Sequence, residues 1–86
     1  MKRAAKSTIK LGLIQTDVSA DLDANLKKTI ALVERAAKSG AKIICTQELF
    51  RSQYFCQSED NANFKLAEKI PGPSTDAFCQ IGRAHV

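Results

Sequence analysis

Polar and apolar positions alternate along Thr8-Ile9-Lys10-Leu11 and then give way to the apolar pair Leu13-Ile14, with Gln15 behind it. Ile and Leu dominate and Thr and Gln stand at the edges, which predicts a β-strand over residues 8–15. Residues 16–20 are polar and form a short connection. Asp21 and Asp23 mark a helix start, where a carboxylate accepts hydrogen bonds from unpaired backbone amides and meets the positive end of the dipole. Leu26, Ile30, Val33 and Ala37 follow at spacings of four, three and four, one face of a helix over residues 23–39. Lys27, Lys28, Glu34, Arg35 and Lys38 lie off that stripe and belong in solvent. Gly40 suits the left-handed residue that closes many helices. Residues 41–46 are nearly all apolar, a second strand of the kind covered on both faces.

Strand, helix and strand with short links predict a βαβ unit with parallel strands and a right-handed crossover. Such a pair does not stand alone, because parallel sheets need cover on both faces and normally more strands. Farther on, residues 61–69 predict a short helix with Phe64, Leu66 and Ala67 turned inward. Ile70-Pro71-Gly72-Pro73 is a break. Ser74-Thr75-Asp76 reads as the cap and first turn of another helix, which Ala77, Phe78 and Cys79 begin.

The chemistry concentrates after the second strand. Glu48 follows the apolar run directly and opens a loop holding Phe50, Tyr54 and Phe55, three of the five aromatic residues. Open α/β sheets place their chemistry at the carboxyl ends of strands and in the loops that follow. The competing reading of Glu48 is an exposed loop acid. Phe50 and Tyr54 either line a substrate pocket or pack in the core. Arg51 reads as a structural partner for an acid.

Composition narrows the classes. The 86 residues allow at most one small domain, and no apolar run approaches the length needed to span a bilayer. The net charge of +4 is local: Lys2, Arg3, Lys6 and Lys10 supply it, while the other nine Lys and Arg cancel nine Asp and Glu. A basic arm over residues 1–7 is either a solubilising tail or a nucleic-acid contact, and no aromatic or Gly-rich element favours the second. The arm lacks the apolar stretch of a secretory signal, so a cytoplasmic location is expected. Cys45, Cys56 and Cys79 are odd in number and widely spaced, matching neither a disulfide framework nor a zinc pattern, and read as buried or incidental thiols. No cofactor and no metal are expected.

Ile81-Gly82-Arg83-Ala84-His85-Val86 continues the last helix poorly, since Gly82 interrupts it and no cap follows. These residues can be encoded by ATC GGA AGA GCA CAC GTC, which matches the start of a common short-read sequencing adapter. The expectation is therefore a natural sequence ending at or near Gln80, with residues 81–86 an adapter-derived tail. His85, the single histidine, carries no functional weight on that reading.

The segments Lys10-Leu11-Gly12-Leu13-Ile14-Gln15-Thr16, residues 25–40, and residues 41–46 leading into Gln47-Glu48-Leu49-Phe50 resemble the N-terminus of the carbon–nitrogen hydrolase (nitrilase) superfamily. The continuation Arg51-Ser52-Gln53-Tyr54-Phe55-Cys56-Gln57, with Leu66-Ala67-Glu68 and residues 70–75, resembles its N-carbamoylputrescine amidase branch. The likeness covers residues 8–80. It implies that the βαβ unit is the first part of a four-layer α-β-β-α sandwich, and it implies a Glu-Lys-Cys catalytic triad. Glu48 matches the triad glutamate, a general base; the three cysteines do not match the nucleophile's motif, and the triad lysine is not found here. The chain by itself is expected to be inactive. The resemblance further implies a carbamoyl-amine substrate, possible members acting on carbamoyl amino acids or simple amides, and a homo-oligomer when full length. The competing class is a non-catalytic, flavodoxin-like βαβ binding module. A phosphate-binding version of it would want a Gly-rich turn after the first strand, and Gln15-Thr16-Asp17-Val18-Ser19 provides none.

Overall fold

A computed structural model describes residues 7–55 and 60–85; most of the basic arm, Cys56, Gln57 and Val86 lie outside the described residues. The elements are β1 (Leu11–Leu13), α1 (Leu22–Lys38), β2 (Ile43–Cys45), a 3-10 helix (Asn61–Leu66) and α2 (Pro73–Ala84). β1 and β2 are parallel, pairing Leu11 with Ile43, Gly12 with Ile44 and Leu13 with Cys45. Rungs from Lys42 N–H to the Lys10 carbonyl and from Ile14 N–H to the Cys45 carbonyl, both 2.8 Å, extend the ladder beyond those residues.

Helix α1 is bounded by its own side chains. The Asp21 carboxylate accepts from the amides of Asp23 at 3.0 Å and Ala24 at 3.1 Å, satisfying first-turn donors that have no partner within the helix. At the other end Gly40 takes φ +95°, and two amides turn back: Gly40 to the Ala37 carbonyl at 3.0 Å and Ala41 to the Ala36 carbonyl at 3.1 Å. This is a Schellman closure, and it aims the chain straight into β2.

The buried face of α1 differs from the apolar stripe. Asn25, Thr29 and Val33 are buried, whereas Leu26, Ile30 and Ala37 are only half-buried. Small residues face the sheet because the helix lies close to it. A Cβ placed on Gly12 would stand 2.9 Å from the Ala36 Cβ, closer than two carbons tolerate. Gly12→Ala should therefore destabilise the protein by about 1–3 kcal/mol through overpacking, and adding Ala36→Gly should recover part of that loss. Urea midpoints of the single and double variants check both expectations.

Among the described residues only one face of the sheet is covered. Gly12, Ile14 and Ile44 lie towards α1, while Leu11, Leu13, Ile43 and Cys45 alternate to the opposite face and are exposed, Leu13 at 79%. Parallel strands need cover on both faces, and among the described residues α1 supplies it on one. Cys45 and Cys79 are both free and exposed, so of the two readings, buried or incidental, they are not buried.

Two expectations for the second half also change. The helix at residues 61–69 is a shorter 3-10 turn in which Phe64 points outward, 80% exposed, Ala67 is exposed and only Leu66 is half-buried. Helix α2 does not stop before Gly82: it runs to Ala84, with Ile81 buried on the helix that packs against α1. Its start lies ahead of the cap read at residues 74–76: Gly72 is the N-cap and Pro73 takes the first helical position.

Candidate active site

The site forms where the parallel ladder ends. Beyond Cys45 the main chain leaves β1, and the side chain of Gln47 takes over the pairing. Its Oε1 accepts from the Thr16 amide at 2.7 Å and its Nε2 donates to the Thr16 carbonyl at 2.8 Å. Glu48 follows, exposed, and Leu49 then takes φ +52°. Left-handed backbone is uncommon for a branched apolar residue and costs roughly 1–2 kcal/mol, so the bend beside Glu48 is held by its surroundings.

Arg51 supplies much of that hold. Its guanidinium bonds the Glu68 carboxylate, the Ser74 hydroxyl at 2.8 Å and the Asp23 carboxylate at 3.3 Å, tying the loop to the first turns of both helices. The reading of Arg51 as a structural partner for an acid is met twice over. The Arg51 carbonyl accepts from Asn25 Nδ2 at 2.7 Å. The same Asn25 donates to the Ser19 carbonyl at 2.8 Å and accepts from the Ser19 amide at 2.9 Å and hydroxyl at 3.1 Å. Only 1% exposed, Asn25 joins the loops that follow both strands. Lys28, placed in solvent by its position, reaches Asp17 in the first loop at 2.8 Å and holds that carboxyl below its usual range.

Glu68 caps α2 from outside the helix, its Oε1 accepting from the Ser74 amide at 2.9 Å. That amide, the Ser74 hydroxyl and then Arg51 hold the Glu68 carboxyl below its ordinary value of 4.5. A depressed carboxylate contributes stability above its unfolded pKa that is lost as pH falls through the folded one. Stability should thus decline as pH drops below 4.5, and Glu68→Gln should flatten that part of the profile. Urea midpoints measured across the acid range would show it.

Glu48 borders a cleft of about 340 Å³ with Val18, Gln47, Leu49, Ser52, Gln53 and Tyr54. Tyr54 is therefore brought together with Glu48. Phe50 is not: its ring packs edge-on against Phe78 of α2, centroids 5.5 Å apart at 89°, and it borders a separate cleft near Glu68 and Ile70. Gln47 and Asn25 were missed by reading apolar spacing, because a polar residue that bonds backbone looks like a solvated one. The available signal was positional: Asn25, Thr29, Val33 and Ala36 recur at four, four and three residues along one face.

Residues 10–85 match the family model described as carbon-nitrogen hydrolase. Among curated proteins, the chain is 39% identical over 77 residues to the omega-amidase NIT2 of Mus musculus, covering 90% of this chain and 26% of that protein. It is 38% identical over 64 residues to a citrullinase of Francisella tularensis subsp. tularensis, covering 74% and 22%. It is 34% identical over 67 residues to the N-carbamoylputrescine amidase of Solanum lycopersicum, covering 78% and 22%. The chain thus spans about a quarter of the length of the curated relatives it matches. No solved structure matches it.

Proposed function

Since this chain belongs to the carbon–nitrogen hydrolase family, we propose that it forms the N-terminal part of a thiol amidohydrolase in which Glu48 is the general base. The substrate we favour is N-carbamoylputrescine, cleaved to putrescine, ammonia and carbon dioxide in polyamine synthesis. The observation that carries this reading is the position of Glu48: on the loop after β2, at the mouth of a cleft it shares with Tyr54. The described walls of that cleft hold one carboxylate, Glu48, a charge that attracts a cationic amine. Tyr54 is proposed as a substrate wall and Phe50 as a packing residue.

The chemistry explains the glutamate. A urea-like carbonyl is a poor electrophile, so attack needs a thiolate and a stabilised oxyanion. The carboxylate takes the thiol proton and delivers a proton to the departing ammonia, leaving a carbamoyl thioester on sulfur. It then takes a proton from the water that cleaves the thioester, and the carbamic acid released loses carbon dioxide to give the free amine. The cysteine, and the lysine that would hold the developing charge on oxygen, are proposed to lie in the part of the relatives' length that this chain does not span, the chain covering 26% of the omega-amidase NIT2 of Mus musculus. The remaining layers of the α-β-β-α sandwich, which would cover Leu11, Leu13 and Ile43, and homo-oligomer assembly are proposed on the same ground.

A second reading is an ω-amidase, favoured by the similarity to the omega-amidase NIT2. The two separate cleanly by product. Full-length enzyme given N-carbamoylputrescine should release ammonia and carbon dioxide together, whereas the ω-monoamide of a dicarboxylic acid would yield ammonia alone. Faster turnover of the ω-monoamide would overturn the carbamoyl assignment and leave the hydrolase reading standing.

A further inference from the structure

We infer that Gln47 is a positioning residue for Glu48, an inference that rests on the reading of Glu48 as the base. The ladder between the strands advances two residues at a time on each side. Its last main-chain rung joins Ile14 to Cys45, and the next station on each strand is Thr16 and Gln47. There the side-chain amide replaces the main chain. A primary amide carries the same donor and acceptor as a peptide group, and Gln47 presents both to Thr16, at 2.8 and 2.7 Å in a partly buried setting. Among the described residues, no main-chain hydrogen bond joins residues 46–50 to another segment. The Gln47 pair is accordingly the anchor on the strand side of Glu48, and the Arg51 carbonyl held by Asn25 is the anchor on the far side. The left-handed Leu49 lies between them.

The Gln47 amide gives one donor and one acceptor to Thr16, so the role inferred for it is to act on catalysis through Glu48, and KM separates this from direct contact with substrate. Misplacing a reacting group by about 1 Å costs on the order of 10²-fold in rate. The test uses the full-length enzyme and whichever amide its wild type turns over in the comparison above, with Glu48→Gln in parallel. Gln47→Leu should lower kcat on the order of 10²-fold, with KM held within about twofold and the fold retained. Gln47→Glu keeps the acceptor for the Thr16 amide but sets an oxygen against the Thr16 carbonyl, so it too should lower kcat. Wild-type kcat in folded Gln47→Leu would overturn the inference. So would a raised KM with kcat unchanged, which would place the amide on the substrate, or failure of both variants to fold, which would make Gln47 a stability residue only. An inactive Glu48→Gln beside an active Gln47→Leu sinks the positioning role alone; an active Glu48→Gln sinks the reading of the base and this inference with it.

Discussion

Glu48→Gln in the full-length enzyme is expected to abolish measurable turnover while leaving the fold and assembly intact. The amide is nearly isosteric with the carboxyl group and cannot accept a proton from the thiol or from water. Positioned acid–base groups contribute about 10²–10⁴-fold each, and a group that acts in both half-reactions is lost from both at once. Glu48 is exposed and makes none of the ion pairs found among the described residues, so the substitution removes no structural contact from this chain. Steady-state assays and a melting curve on the same sample check the two halves of the expectation. Near-normal hydrolysis by the variant would refute the role of Glu48.

The second large effect falls on a residue with no place in the chemistry. Asn25→Ala should destabilise the protein by about 3 kcal/mol, because buried groups left without a partner cost about 1–3 kcal/mol each and do not simply add. Four bonds disappear together: three to Ser19 and one to the Arg51 carbonyl. Asn25→Asp keeps the shape and loses both donors. Its carboxylate would face two carbonyl oxygens, so its destabilisation should grow as pH rises above the ordinary aspartate value, about 3.9. Urea midpoints at constant slope measure both variants. A midpoint near wild type for Asn25→Ala would show that the two loops are held by other means.

Much of this architecture is legible in residue spacing. Asp21, Gly40 and the apolar run at residues 41–46 act through local backbone chemistry, and caps, left-handed closures and strands follow from nearest neighbours. The placement of Glu48 just past the second strand was readable for the same reason. The clamps around it were not. Gln47 meets Thr16 across 31 positions, and Asn25 meets Arg51 across 26, separations over which pattern carries no distance information. The helix face was misjudged because Asn25 and Thr29 are buried on it: Asn25 is satisfied by loops, while the Thr29 hydroxyl has no partner among the described residues. Phe64 was expected inside on hydrophobicity alone and lies outside; the described residues show nothing that covers it. Gly82 did not end α2, because a single glycine costs a helix only about 1 kcal/mol and the burial of Ile81 offsets it.

The guanidinium of Arg51 grips the opening turns of two helices from within one loop. The bank of the cleft that bears the carboxylate is in effect bolted to the scaffold and has little freedom to fold over a guest. Any closing of this cleft must then come from the opposite shore, while Tyr54 stays a fixed wall on the near one, so a graft meant to alter closure should take the far side and leave the carboxylate's own mooring untouched.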